Sequence, residues 1–261
     1  MSNRPIGVFD SGVGGLSVFS QLVKLLPNEN YIYFGDTINL PYGSKTQEEL
    51  IEITKKIFDF FKEKNVKAVV MACNTTSALT YEFLKPNYNF KIYPIVQTVA
   101  KKIALQGYEK IGVFATQGTI NSHAYKKEIA KESSAQVFEI ACPEWVNIVE
   151  NELQEDETSI QNIKMYVDEM QKNNPDKIIL GCTHYPYLLN VLSKFTDEKK
   201  FINPAKSFAE SICEDLEKSN LLCDKMLHEH KIYVTSNPKQ FAKASKLFYK
   251  VQEIEEISLE H

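Results

Sequence analysis

Two cysteines in this chain stand where chemistry can be done. Val69-Val70-Met71-Ala72-Cys73 is a short apolar run, the mark of a buried strand, that ends in a thiol. Asn74, Thr75 and Thr76 follow, and Ala78 to Leu84 then read in helical period. Far along the chain the arrangement returns: Lys177-Ile178-Ile179-Leu180-Gly181 is an apolar strand, Cys182-Thr183-His184-Tyr185-Pro186 follows, and Leu188, Leu189, Val191 and Leu192 suggest a helix. A helix N-terminus presents unpaired N–H groups and a partial positive charge, which predicts a lowered thiol pKa and a seat for a carboxylate. A core cysteine has no use for so many hydrogen-bonding neighbours, so Cys73 and Cys182 read as functional. Cys142, Cys213 and Cys223 read as small buried hydrophobes. His184, two residues past a thiol, reads as its partner, whereas His228 and His230 sit in a charged stretch and read as solvated.

The elements that must position these thiols are themselves repeated. Ile6-Gly7-Val8-Phe9 and Ile111-Gly112-Val113-Phe114 are identical tetrapeptides, each followed by a small polar turn and a helix, Leu16 to Leu26 in one case and Ile120 to Lys131 in the other. Tyr31 to Phe34 and Gln136 to Ile140 are the second strands, and the third strand of each half ends in Cys73 or Cys182. The tetrapeptides are offset by 111 − 6 = 105 residues and the cysteines by 182 − 73 = 109, so the order of elements reads as an internal duplication. Alternating strands and helices predict an α/β fold: two similar, pseudo-symmetric domains with mainly parallel sheets flanked by helices. Ligands of such sheets bind beyond the carboxyl ends of the strands. Asp10-Ser11, Cys73-Asn74-Thr75, Thr116 to Thr119 and Cys182-Thr183-His184 all fall there, which places the active site in an interdomain cleft. The tail, Lys231 to Thr235 and a helix from Pro238 to Tyr249, is expected to return to the first domain. The expected division is 1–96 with 207–258 for one domain and 97–206 for the other, with 259–261 as the remnant of a tag.

Composition excludes several roles. A formal charge of −4 provides no basic face, so nucleic acid is not expected as a partner. No apolar run approaches a membrane span, and Met1 to Arg4 lead straight into a strand, so neither a membrane nor a signal peptide is expected and a cytoplasmic location is. Five cysteines with no CxxC argue against a disulfide framework and for reduced thiols. The turn Asp10-Ser11-Gly12-Val13-Gly14-Gly15 could bring N–H groups to an anion, or could serve packing alone. It has Ser17 where a dinucleotide fingerprint needs glycine or alanine, and it has no Walker lysine.

Four chemistries use cysteines. An active-site disulfide lacks its spacing. A zinc site from Cys73, Cys142, Cys182 and His184 lacks a ligand pair of ordinary spacing. A Cys–His nucleophile leaves the duplication unexplained. Two matched thiols facing one carbon, one removing a proton and the other returning one to the opposite face, explain it, because inverting a stereocentre is a nearly symmetric task. That is a racemase or epimerase that needs no cofactor and no metal.

The residues closely resemble bacterial glutamate racemases of the aspartate/glutamate racemase superfamily. The resemblance rests on DSGVGG at Asp10 to Gly15, GDT at Gly35 to Thr37, PYG at Pro41 to Gly43, ACNT at Ala72 to Thr75, GCTHYP at Gly181 to Pro186, and Cys142-Pro143-Glu144-Trp145-Val146 running to Glu150. It implies supply of D-glutamate for peptidoglycan, and so for cell-wall biogenesis and cell shape, by a cytoplasmic homodimer without pyridoxal phosphate. It implies Cys73 and Cys182 as acid/base residues, Asp10 assisting the first and His184 the second, with Asp36 and Glu150 as supporting carboxylates. Asp10, Ser11, Pro41, Tyr42, Gly43, Asn74, Thr75, Thr119, Thr183 and His184 would hold the substrate. Thr76, Ala115, Asn147 and Asn203 depart from the usual pattern, and none of them is expected to touch the chemistry. Aspartate racemase, a single-thiol relative and a non-catalytic amino-acid-binding regulator are the competing readings.

Overall fold

The computed structural model describes residues 2–223, 229–251 and 253–259. His228 and residues 260–261 of the expected tag remnant lie outside the described residues. The first run of elements is β1 (Ile6–Asp10), α1 (Leu16–Leu25), β2 (Tyr31–Gly35), α2 (Gln47–Glu63), β3 (Ala68–Met71), α3 (Asn74–Leu84), β4 (Lys91–Pro94) and α4 (Ile95–Ala104). The second is β5 (Lys110–Ala115), α5 (Gln117–Ser122), α6 (Ala124–Ile129), β6 (Gln136–Ala141), α7 (Trp145–Glu150), α8 (Glu157–Gln171), β7 (Lys177–Gly181), α9 (Leu189–Leu192) and β8 (Phe201–Ile202). After them come α10 (Pro204–Lys218), β9 (His230–Val234), α11 (Pro238–Ser245) and β10 (Glu255–Glu256).

The strands form two sheets in the orders β10-β9-β2-β1-β3-β4 and β6-β5-β7-β8, and every pairing is parallel. The α/β fold with parallel sheets is thus what the strand–helix alternation predicts. The central strands β1 and β3 are buried along their whole length, because helices cover both faces. Each run contains a fourth strand, β4 or β8, beyond the three read from sequence; both are short and partly exposed, so they carry little hydrophobic signal. With β4 and β8 included, β2-β1-β3-β4 and β6-β5-β7-β8 have the same order, as duplication requires.

Local chemistry sets the element ends. A capping box starts α2: Thr46 Oγ1 accepts from Glu49 N, and Glu49 Oε2 accepts from Thr46 N. Asn203, a departure from the family pattern, accepts from Ala205 N at 3.0 Å and caps α10 as an aspartate would. The expected single helix from Ile120 to Lys131 is broken at His123, whose φ of 53° is left-handed, and the chain restarts as α6. The helix expected to reach Tyr249 ends at Ser245. His230 is not solvated as expected. It opens β9 beside Tyr31, and its ring packs edge-on against Phe19 and Tyr31.

A buried ion pair lies at the amino ends of β2 and β3 in the first sheet, away from Cys73. Lys67 Nζ lies 2.5 Å from Glu29 Oε2 and donates to the carbonyls of Ser2 and Leu221, and both side chains of the pair are at most 2 % exposed. Breaking such a pair leaves a charge stranded and costs about 3–5 kcal/mol.

Candidate active site

A cavity of 490 Å³ opens at the carboxyl ends of both sheets. It is lined by Ser11, Leu40, Pro41, Tyr42, Gly43, Ser44, Cys73, Asn74 and Thr75 on one side and by Thr116, Gln117, Pro143, Val146, Cys182, Thr183 and His184 on the other. Cys73 lies two residues past the end of β3 and is the residue before the first turn of α3. Cys182 directly follows β7, but it enters a 3-10 turn over Tyr185–Leu188 and then the four-residue α9. The repeat therefore places the two thiols alike while giving only Cys73 a long helix.

Their surroundings differ further. Burial and the Asp10 carboxylate push the Cys73 thiol up to about 12, while the N–H and hydroxyl of Thr76 pull it back. The lowered thiol expected from the helix N-terminus is therefore overturned at Cys73, because loss of hydration outweighs the helix's partial charge. Thr76 does not line the cavity but lies against Cys73. Its hydroxyl lies 3.2 Å from the Cys73 carbonyl, and it is fully buried.

On the other side, His184 Nδ1 is 3.8 Å from Cys182 Sγ and Nε2 is 3.0 Å from Glu150 Oε1. Burial alone would lower the imidazole, but the Cys182 sulfur and the Glu150 carboxylate outweigh it and raise His184 to about 10. The ring is held edge-on by Phe248. Glu150 itself lines a second cavity, with Gly12, Leu40 and α11, and meets the cysteine cavity through the imidazole.

Asp10 and Thr119 stand behind the cavity wall. Asp10 is fully buried; its Oδ2 accepts from Gly12 N at 3.1 Å and its Oδ1 from Thr183 Oγ1 at 3.5 Å. Burial raises its carboxyl, which the His184 charge and the N–H groups of Gly12 and Gly15 partly offset. Thr119 connects through Thr116 Oγ1, at 3.1 Å, which in turn meets Thr75 Oγ1 at 2.9 Å. Asp36 also lies off the cavity. It accepts from Tyr42 OH at 2.5 Å, from Asn39 Nδ2, and from Thr235 Oγ1 at 2.8 Å. It thereby ties the Pro41-Tyr42-Gly43 loop to the segment after β9.

The glycine turn is tightly packed. A Cβ on Gly14 would lie 2.3 Å from Thr183 Oγ1 and 2.6 Å from His184 Cε1, and one on Gly15 would lie 2.4 Å from Asp10 Cβ. The turn must be bare for the two halves to meet at the site. Thr116 and Gln117, placed at a strand end by the sequence but not named there as substrate-holding residues, line the cavity, and the 105-residue offset maps Ser11 onto Thr116. Cys142 is fully buried, and Cys213, within α10, is partly buried and packs against the core; Cys223 is only partly buried, so the reading as fully buried hydrophobes holds for Cys142 alone. Among the described residues no group of three or more His, Cys, Asp or Glu side chains is arranged to hold a metal ion.

Two like α/β halves that each bring a cysteine to one cavity define a class of two-sided, thiol-bearing cleft proteins. Residues 6–212 match the family Asp/Glu/Hydantoin racemase, and the chain belongs to that family. It is 36% identical over 265 residues to the glutamate racemase of Thermoanaerobacter pseudethanolicus, covering 100% of this chain and 99% of that protein. The crystal structure of glutamate racemase from Francisella tularensis in complex with D-glutamate superposes with a TM-score of 0.93 at 32% identity, covering 99% of each chain. Picrophilus torridus aspartate racemase, at 13% identity and a TM-score of 0.60 over 84% of this chain and 99% of its own, shares the fold.

Proposed function

We propose that this racemase interconverts L- and D-glutamate with Cys73 and Cys182 as its two acid/base residues. The carrying observation is that one cavity is walled by a thiol from each half, with unequal partners behind them. The α-proton of an amino acid is a very weak acid, so the carbanion needs donors aimed at the carboxylate as it forms. Asn74, Thr75 and Thr183 are such donors, Ser11, Pro41, Tyr42 and Gly43 serve the rest of the substrate, and Thr119 and Asp36 support them.

Only a thiol beside a thiolate completes a turnover. The raised Cys73 enters as the thiol, so Cys182 is the base, paired with the His184 imidazolium that Glu150 supports. Cys182 takes the α-proton of L-glutamate and Cys73 gives its proton to the opposite face. The product is D-glutamate, and the two sulfurs have exchanged protonation states for the reverse run. Asp10 lies close to both Cys73 and His184 and balances them. In a near-attack geometry of about 3–3.5 Å on each face, the sulfurs stand about 7 Å apart around the bound substrate.

Each sheet is taken as the core of one domain, 1–96 with 207–258 and 97–206. Family membership fits a homodimer in the cytoplasm that supplies D-glutamate for peptidoglycan, and the five free cysteines fit a reducing compartment. The deciding experiment is α-proton exchange in deuterated water with L- and D-glutamate and with both aspartates, after dialysis against a chelator. Deuterium entering glutamate from either enantiomer supports the reading. Exchange confined to aspartate, or requiring added zinc or pyridoxal phosphate, or absent altogether, overturns it.

A further inference from the structure

Tyr125, on α6 of the second half, is fully buried, and its hydroxyl donates to Asn74 Oδ1 in the first half at 2.7 Å. Asn74 follows Cys73 directly, lines the cavity and is 3% exposed, yet its Nδ2 has no hydrogen-bond partner among the described residues. The other edge of the same ring lies against the backbone before Cys182: a Cβ on Gly181 would come 3.0 Å from Tyr125 Cε2. One phenol thus spans the distance from the residue after the first thiol to the residue before the second.

A buried amide that gives its oxygen to a protein donor and leaves its nitrogen unpaired is costly unless a ligand completes it. The amide's orientation is set by the phenol. Burial and the charge at Cys182 push the Tyr125 hydroxyl well above its ordinary pKa, so it keeps its hydrogen. Asn74 is its hydrogen-bond partner among the described residues, so that hydrogen goes to Oδ1 and the NH2 is turned away from the ring. We infer that Tyr125 is a positioning residue that fixes the Asn74 amide so that Nδ2 donates to the α-carboxylate of the substrate. The α-carboxylate is the acceptor because Asn74 adjoins the thiol that addresses Cα, and the group next to Cα is where charge builds when the proton leaves.

The inference rests on the glutamate reaction proposed above. Without the hydroxyl, the bound amide would have to bury a bare oxygen against a phenylalanine ring. The amide would then rest flipped in the free enzyme and pay for the turn on binding.

The test is a double-mutant cycle of Tyr125→Phe and Asn74→Ala, with kcat, KM, pH profile and the Kd for D-glutamate measured for all four proteins. Tyr125→Phe is expected to lower kcat/KM about 10-fold in the native background, the worth of one such bond. In Asn74→Ala it should change activity by less than about 2-fold. The pH profile should not move. A folding defect would carry over into both backgrounds, so equal costs in the two overturn the inference, as does a shifted pH profile, which would mean that Tyr125 acts through Cys182. A native protein that neither binds nor racemises glutamate overturns the functional reading together with this one, whereas an active native enzyme with additive costs overturns this one alone.

Discussion

At the end of β1 the chain places Asp10; at the matching end of β5 it places Ala115. The cysteine offset of 109 residues pairs Cys73-Asn74-Thr75 with Cys182-Thr183-His184. The two halves therefore share strand order, a terminal thiol and a neutral donor beside it, and differ by one carboxylate and one imidazole. Neither charge has a counterpart in the other half. A proton relay between two equal thiols would have no reason to begin with the proton on one of them. Burial and the Asp10 carboxylate raise the Cys73 thiol, whereas Cys182 has the His184 imidazole at 3.8 Å. Duplication supplies the two faces, and the divergence after it gives each thiol its own partners.

Replacing either thiol should break the comparison most severely. Cys73→Ser and Cys182→Ser are each expected to lower racemisation by about 10³-fold or more, since a hydroxyl cannot act as the base. Elimination of a leaving group from a β-substituted glutamate analogue needs one base, so each variant should keep it for one enantiomer. Cys73→Ser should retain the L isomer and Cys182→Ser the D isomer, read by release of the leaving group. Retention of the same isomer by both variants would show the assignment of faces to be wrong.

Loss of the imidazole should come next. Enantiomers have equal free energies, so kcat/KM must stay equal in the two directions whatever the mutation. The asymmetry has to be read in the isotope effect instead. His184→Asn is expected to lower kcat/KM about 10²-fold and to raise the deuterium effect for Cα-labelled L-glutamate above that for labelled D-glutamate. A larger effect on the D isomer would place His184 with the wrong thiol. Glu150→Gln is milder. The carboxylate raises His184, so removing it must lower the imidazole from about 10. Activity that requires the imidazolium is lost as pH rises through that value. The alkaline limb of the kcat/KM profile should therefore move to lower pH by about 1 unit, with the acid limb unchanged.

The thiols were legible because each breaks an apolar strand with a polar run, and the duplication was legible because a tetrapeptide survived in both halves. Thr116 was legible in principle, as the counterpart of Ser11. Tyr125 was not: its partner Asn74 lies 51 residues away, and nothing local marks a buried phenol as a reader of amide orientation. The direction of the Cys73 shift was lost for a related reason. A helix start can be read from sequence, but the depth of burial that outweighs it comes from residues distant in sequence, among them Phe9, Tyr42 and Leu50, that share a core cluster with Cys73. The break at His123 left no trace, because a left-handed histidine carries no glycine to announce it.

The smallest effect should come from Thr76, which packs against Cys73. Its hydroxyl has one hydrogen and two acceptors within reach, the Cys73 carbonyl at 3.2 Å and the Cys73 sulfur whose anion it favours. While Cys73 is a thiol, the carbonyl holds that hydrogen. Once Cys73 has given up its proton, the sulfur is the stronger acceptor and the hydrogen can swing across. Thr76 therefore offsets part of what burial and Asp10 impose, in the half that lacks an imidazole. Thr76→Ala should push the thiol higher and lower kcat/KM about 3-fold, the worth of one modest hydrogen bond. The isotope effect should rise for Cα-labelled D-glutamate, the enantiomer whose proton Cys73 accepts, opposite to the shift expected for His184→Asn. A rise for the L isomer, or the same small loss with no change in either isotope effect, would show that Thr76 serves α3 and not the thiol.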